Sequence, residues 1–475
     1  MARMDRSSAL TWMFVAACVA CFAWFILATN DFNNDDLDNF VVMRDGDLLR
    51  LMFSPLHGHW SPFHRFSSWL VYAVAPMRFE ASLLVLIAFH LGTLAYLYAT
   101  LRQFGLDLSA RVIVCAYACC GLLLYGMIWW ANAQLRVPHA MLCAAAIFHY
   151  LVWLKGGGRR HAVLSAAAFL LDLCVFQKAV LIPVYMLVVG FLAVPGRFRR
   201  GMAEAVRAAA LPSVLLAIAI AFVIVYMMML PPQMRPGIAL TLSVEWTVIK
   251  AFMAALLGVT AYQVENVEAP THVALLWVAG AFWLSMLLLS LRLAPRVWLV
   301  WVGMLFVVAL DFLPLTTSNR TFFGLLSAYS YRYHFETVYL VAIFCGLICA
   351  GVTAAWRERG KSLRSPALAI AIVAAYAGTN LVAVAMARAG SLEFDISRQA
   401  HAYMGNLREG LGGIGEPAPV FRDSSVPWYM SILVGPDWTR QIVPLFIPDA
   451  RFDPAAQEYY LVLEDGKVVK KVPAR

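Results

Sequence analysis

The chain has 475 residues, 62% of them hydrophobic and only 14% charged, against roughly 25% charged in an ordinary soluble domain. So few charges do not cover a water-soluble protein, and the apolar residues fall in runs of roughly 20, each long enough to cross about 30 Å of hydrocarbon. A soluble enzyme, a disordered chain and a nucleic-acid-binding domain are excluded, and the +9 net charge is explained by topology.

Apolar spans are predicted at 9–29, 80–100, 112–130, 138–154, 162–176, 179–195, 209–230, 272–291, 297–314, 335–355 and 367–388, about eleven helices. The first outruns the usual apolar core of a secretory signal, about 7–15 residues, and its Ile26-Leu27-Ala28 end is a poor cleavage site. It is read as a retained helix. The fifth and sixth spans are separated only by Gln177-Lys178, a tight hairpin. One set of loops is basic: Arg3, Arg6; Arg102, Arg111; Lys155, Arg159, Arg160; Arg197, Arg199, Arg200, Arg207; Arg292, Arg296; and Arg357, Arg359, Lys361, Arg364. Basic loops stay cytoplasmic. The N-terminus is therefore expected inside and, with an odd number of spans, the C-terminal tail outside.

The long polar segments then all face outward: 30–79, 231–271, 314–334 and the tail from about 389. No GxxxxGK[ST] or GxGxxG phosphate cradle occurs at a strand-to-helix junction, and Gly156-Gly157-Gly158 before Arg159-Arg160 reads as a cytoplasmic turn. Chemistry is expected outside and without ATP. The nine cysteines all lie in apolar segments, with no zinc or disulfide spacing. The expected fold is an all-α polytopic membrane domain, 1–388, followed by a small C-terminal α/β extracytoplasmic domain, 389–475. In the tail, a helix over about 394–411 ends at Gly412-Gly413, and Asp465-Gly466 predicts a type I′ hairpin within 459–469. In the 231–271 loop, 244–259 reads as a re-entrant, interfacial or merely peripheral helix.

The first outer loop carries most of the polar chemistry. Asp31, Asp35, Asp36 and Asp38 lie within eight residues, interleaved with Phe32, Leu37 and Phe40. A solvated acidic turn is one reading; apolar packing on the membrane surface favours a functional one. Residues 47–53 read as a short amphipathic helix stopped by Pro55. His57, His59, His64 and Arg65 follow in His-Gly-His-Trp-Ser-Pro-Phe-His-Arg. Metal ligation is one use for these histidines, but Gly58 and Pro62 and the lack of helical i, i+4 spacing favour hydrogen bonding to an anionic phosphate. A polar loop whose histidines do nothing is the bland alternative.

The acidic pair after the first span, the interfacial helix, the His-x-His-x-x-Pro segment and the many further spans resemble the polytopic glycosyltransferases of the GT-C superfamily. The likeness extends to bacterial members whose first loop reads DD…H-x-H-x-x-P, to Phe176-Gln177-Lys178 before the apolar run reaching Pro183, and to Tyr331-Arg332-Tyr333-His334. Related sequences often have an acidic residue before the lysine, where this chain has Gln177. The resemblance implies a bacterial inner-membrane enzyme that moves a sugar from a polyprenyl-phosphate donor to a glycan, lipid or protein acceptor.

Such a transfer needs a base for the acceptor hydroxyl and cations for the departing phosphate. A single displacement implies inversion. Asp35 is the first candidate base and Asp36 the second. Arg332, Lys178, Arg65 and His64 are the phosphate candidates, with Arg320 a further outer cation. His57, His59, Tyr331, Tyr333, His334 and Asp311 are the remaining substrate-binding candidates. For Arg332 the alternative is a snorkelling side chain in an aromatic belt; for Lys178 it is a structural pair with Asp172. His90 and His149 sit deeper and are left outside the site. No metal ligand is assigned, although a divalent cation stays open as a cofactor. A transporter or flippase of a lipid-linked glycan, or a non-catalytic assembly subunit, is the competing reading; no internal repeat or broken midplane helix is evident in the sequence to favour transport.

Overall fold

A computed structural model describes residues 6–54, 59–196, 201–229, 242–260, 262–264, 267–269, 273–316, 326–360, 365–430 and 438–472. Helix α1 (Arg6–Thr29) leads into three helices of the first long loop, α2 (Asp35–Asp45), α3 (Leu48–Met52) and α4 (Pro62–Val74). The bundle continues through α5 (Phe79–Gln103), α6 (Leu108–Ala118), α7 (Leu122–Met127), α8 (Trp130–Leu154), α9 (Arg159–Leu173) and α10 (Ile182–Ala193). Then come α11 (Met202–Met229), α12 (Leu242–Ala255), α13 (Val273–Leu293), α14 (Trp298–Thr316), the short α15 (Leu326–Tyr329), α16 (Phe335–Glu358) and α17 (Pro366–Gly390). The tail opens with α18 (Leu392–Gly412).

Among the described residues, eight helices are long and apolar enough to cross a membrane. Shorter helices occupy the other three expected spans. The stretch expected as one span over 112–130 is instead α6 and α7, broken at residues 119–121, and Trp130 already begins α8. The break is stabilised from outside: the Asn380 side chain on α17 accepts a 2.8 Å hydrogen bond from the Gly121 amide. A single-turn 3₁₀ segment, Gln177–Leu181, forms the expected tight hairpin between α9 and α10. The 231–271 loop contains α12 and a small hairpin, β1 (Tyr262–Val264) with β2 (Val267–Ala269), which the sequence reading did not foresee.

The acidic stretch of the first loop is a helix, with Asp35, Asp36 and Asp38 all in the first turn of α2. Carboxylates there complement the partial positive charge of a helix N-terminus. Its interleaved apolar residues do not lie on the membrane surface as expected. Phe32, Leu37 and Phe40 are fully buried, and Phe32 packs edge-on against Phe40 and Phe79. The amphipathic α3 forms as expected, capped by Asp47, which accepts from the Leu49 amide.

The tail is tied firmly to this loop. Arg408 on α18 grips the Asp31 carboxylate with two N–H groups and also donates to the Met77 carbonyl at 2.8 Å. Beyond α18, a four-stranded sheet has the order β4-β3-β5-β6, from β3 (Val420–Phe421), β4 (Arg451–Phe452), β5 (Tyr459–Val462) and β6 (Val468–Lys471). The β5–β6 hairpin forms where expected, but its turn differs. A type I′ turn needs positive φ at both central residues, and here only Gly466 (φ 84°) has it. The Leu463 amide donates to Lys467 O, so the loop is a three-residue turn closed by glycine. A side chain at Gly466 would also collide with the Tyr403 carbonyl of α18.

A buried ion network joins several helices at one end of the bundle. Glu336, in the first turn of α16, accepts from Arg136 of α8 through both oxygens at 2.6 and 2.7 Å, and from Lys178 at 2.6 Å. Lys178 also donates to Asp311 of α14 at 2.8 Å, and Tyr185 of α10 donates to the other Asp311 oxygen at 2.7 Å. Asp172 does not pair with Lys178. It faces His139 instead, at 2.8 Å.

Two outcomes test this architecture. Glu336→Gln leaves two buried cations short of their shared anion, and is expected to cost about 3–5 kcal/mol, read as a fall in the melting temperature of purified protein. Arg408→Ala, at a partly exposed site, should cost about 1–3 kcal/mol by stranding the buried Asp31. Adding Asp31→Asn to Arg408→Ala should recover part of that loss in the same melting assay.

Candidate functional site

A cavity of about 110 Å³ opens among the loop that follows α1, the start of α8 and the turn before α16. Four elements supply its wall. Asp35 and Asn39 come from successive turns of α2; His59, Ser61, His64 and Arg65 come from the segment entering α4. Trp129, Ala131, Asn132 and Leu135 come from the start of α8, and Arg332 and Tyr333 from the 3₁₀ turn Tyr331–His334. Sequence positions some 300 residues apart thus share one wall.

Local chemistry aims each side chain. Ser61 caps α4 by accepting from the His64 amide, and Pro62 stands in the first turn, where its missing N–H costs nothing. The Ser61 hydroxyl also donates to Val175 O at 2.6 Å, pinning this cap to the α9–α10 turn. Arg65 is buried and donates to Asn39 at 2.5 Å. Burial brings its pKa down to about 10, which still leaves it cationic at neutral pH. His59 sits 3.1 Å from the Gln177 side-chain oxygen, while the Gln177 amide donates to Trp60 O at 2.6 Å. The departure at Gln177 therefore has a structural role: an amide both accepts and donates, where a carboxylate only accepts.

The two adjacent aspartates have different surroundings. Asp35 lines the cavity. Asp36 is fully buried, and its two oxygens accept from the backbone amides of Asn33 (3.0 Å) and Ala131 (2.6 Å). Burial pushes the Asp36 carboxyl well up from its ordinary range, with the two amides opposing. Asp36 fastens the first loop to α8.

Arg332 is stacked over Trp129, with 4.8 Å from its guanidinium carbon to the ring centre, and over Tyr333 at 5.1 Å. It ion-pairs with Glu393 of α18 at 3.4 Å. Arg136 lies behind this wall. It donates to the Asn132 side chain at 2.8 Å and stacks on Tyr333 at 4.9 Å, so the buried ion network holds two cavity residues in place.

Of the residues singled out from sequence, the structure gathers Asp35, His59, His64, Arg65, Arg332 and Tyr333 around the cavity. It places Asp36, Lys178, Asp311, Tyr331 and His334 elsewhere. Lys178 and Asp311 belong to the ion network. Tyr331 and His334 are buried in an aromatic cluster with Tyr125, Phe252 and Phe312. His57 and Arg320 fall outside the described residues. The sequence reading missed Asn39, Ser61, Trp129, Asn132, Arg136 and Glu393. A weak signal existed for Arg136, a charge amid apolar residues close to a predicted span; Trp129 and Glu393 had none. Among the described residues, no three His, Cys, Asp or Glu side chains converge to hold a metal ion.

No protein-family model matches this sequence. No curated protein matches it either. In fold, the chain is similar to the crystal structure of ArnT from Cupriavidus metallidurans bound to undecaprenyl phosphate, with a TM-score of 0.51 and 12% sequence identity, over 94% of this chain and 87% of that one. The likeness is one of fold alone: this chain is mostly α-helical, with eight helices among the described residues long and apolar enough to cross a membrane and a small C-terminal sheet.

Proposed function

We propose that the chain is an integral membrane glycosyltransferase that moves a hexosyl or pentosyl group from a polyprenyl-phosphate donor to a glycan, lipid or protein hydroxyl. The reaction takes place on the outer, periplasmic face of a bacterial inner membrane. The observation that carries this reading is the cavity itself, where the carboxylate of Asp35 and the cations Arg65 and Arg332 share one wall with His59 and His64. Fold similarity to a protein crystallised with undecaprenyl phosphate supports the lipid class of the donor.

The chemistry follows from these groups. The acceptor hydroxyl gives its proton to Asp35 as its oxygen attacks the anomeric carbon. The bond from that carbon to the phosphate oxygen breaks, and the polyprenyl phosphate departs as a stable anion that needs little acid help. Arg332 receives it: the guanidinium fork matches phosphate oxygens, and stacking on Trp129 and Tyr333 fixes its plane. Arg65 and His64, adjacent in the first turn of α4, supply further donors. One displacement inverts the anomeric centre. Asp35 is favoured over Asp36 as the base because both Asp36 oxygens are already engaged by backbone amides. In this reading Lys178 does not touch the phosphate; it holds Asp311 and Glu336, and through them the arginine behind the wall.

Sugar transfer from a polyprenyl-phosphate donor, without nucleotide, tests the assignment. Asp35→Asn should lower the rate by about 10²–10⁴-fold with the melting temperature unchanged. Asp36→Asn should instead lose about 1–3 kcal/mol of stability. Full activity in Asp35→Asn overturns the base. Topology has its own check: a periplasm-active reporter fused after residue 475 should be active and one fused after residue 157 inactive, and the reverse pattern removes the outer-face site.

A further inference from the structure

One charged group beside the cavity has no part in the chemistry above. Glu393 stands in the first turn of α18, three residues past the end of α17, and its carboxylate ion-pairs with Arg332. Both side chains stay partly accessible, 25% for Arg332 and 20% for Glu393, so their contact lies at the margin of the cavity. The helix that carries Glu393 is well anchored. Phe394 packs edge-on against Phe25 and Tyr125, His401 meets Asn30 O at 3.1 Å, and Arg408 grips Asp31. The Ser397 hydroxyl donates to the Glu393 carbonyl at 2.9 Å, tightening the same turn.

Arg332 is thus oriented from two sides. Aromatic faces set its plane, and the carboxylate from the tail sets where its N–H groups point. The Arg332 Nε is buried without a hydrogen-bond partner among the described residues, so the guanidinium has donor capacity beyond this ion pair. Asp35 also acts on Arg332 through its charge. An arriving phosphate therefore meets an arginine that already answers to two carboxylates.

Resting on the reading that Arg332 receives the donor phosphate, we propose that Glu393 is a positioning residue whose carboxylate holds the Arg332 guanidinium over Trp129 and yields it to the lipid phosphate on binding. A carboxylate and a phosphate compete for the same planar fork. Glu393 keeps the arginine aimed in the empty cavity and weakens phosphate binding by its own charge, which favours release of the spent polyprenyl phosphate. The C-terminal unit in this way takes a direct part in the donor site.

The test uses full-length protein in detergent, titrated with undecaprenyl phosphate, with Trp fluorescence and thermal stabilisation as readouts. Glu393→Gln keeps the shape and removes the charge. It should bind about 2- to 5-fold more tightly than wild type, the scale of a partly exposed ion pair, and turnover should show KM and kcat falling together. Glu393→Asp keeps the charge at shorter reach and should lie between the two. Damage to folding weakens binding, so a gain of affinity separates positioning from a merely structural role. Equal or weaker binding in both variants, with wild-type binding intact, overturns this inference alone. No binding by wild-type protein overturns it together with the donor reading on which it rests.

Discussion

Much of one end of this bundle depends on one carboxylate shared by two cations. Glu336 binds Arg136 and Lys178 where all three side chains are buried, and each of those cations reaches a further group: Asn132 one turn earlier on α8 for Arg136, Asp311 on α14 for Lys178. Burying four charges is expensive, and such a cluster is a weak source of net stability compared with apolar packing of equal volume. What it supplies is geometry. Each hydrogen bond fixes a distance between helices that apolar contacts alone would leave free to slide, and Arg136 carries that constraint to the cavity wall through Asn132 and Tyr333.

The adjacent aspartates of α2 illustrate how a helix divides labour. Neighbouring side chains on a helix diverge by about 100°, so Asp35 and Asp36 cannot face the same way. Asp36 turns inward and spends both oxygens on backbone amides that fix the loop to α8. Asp35, oriented by that attachment, turns toward the cavity. A sequence pair that reads as two equivalent acids is one wall residue and one fastening.

The tail proves more than an appendage to the bundle. Through Arg408, His401 and Phe394 it packs on the first loop, and through Glu393 it touches the arginine of the cavity. Two helices that leave the bilayer at opposite ends of the chain, α1 and α17, therefore open onto one joint structure. Its small mixed sheet pairs β3 in parallel with β4 and β5, strands that follow it only after long connections, a register that local patterning does not specify.

Spans, the α3 helix, the start of α18 and the hairpin at Gly466 were legible because each rests on local signals: apolar length, capping residues and turn glycine. Six of the candidate site residues were legible too, since polar groups clustered beside the span ends on one side have few places to go but a shared surface at that end. The partners of those groups were not. Asp172 as the mate of Lys178 was the natural choice by proximity in sequence, yet Lys178 found Asp311 and Glu336, which are 133 and 158 residues away. Sequence alone determined that this chain crosses a membrane many times and carries acidic and basic groups on one face, because hydrophobic length and charge placement are properties of contiguous residues. Which aspartate faces the cavity, which cation is consumed in the interior and which tail residue meets Arg332 were decided only by tertiary packing, because a buried charge must be matched in three dimensions and its nearest opposite charge in space is rarely its nearest along the chain.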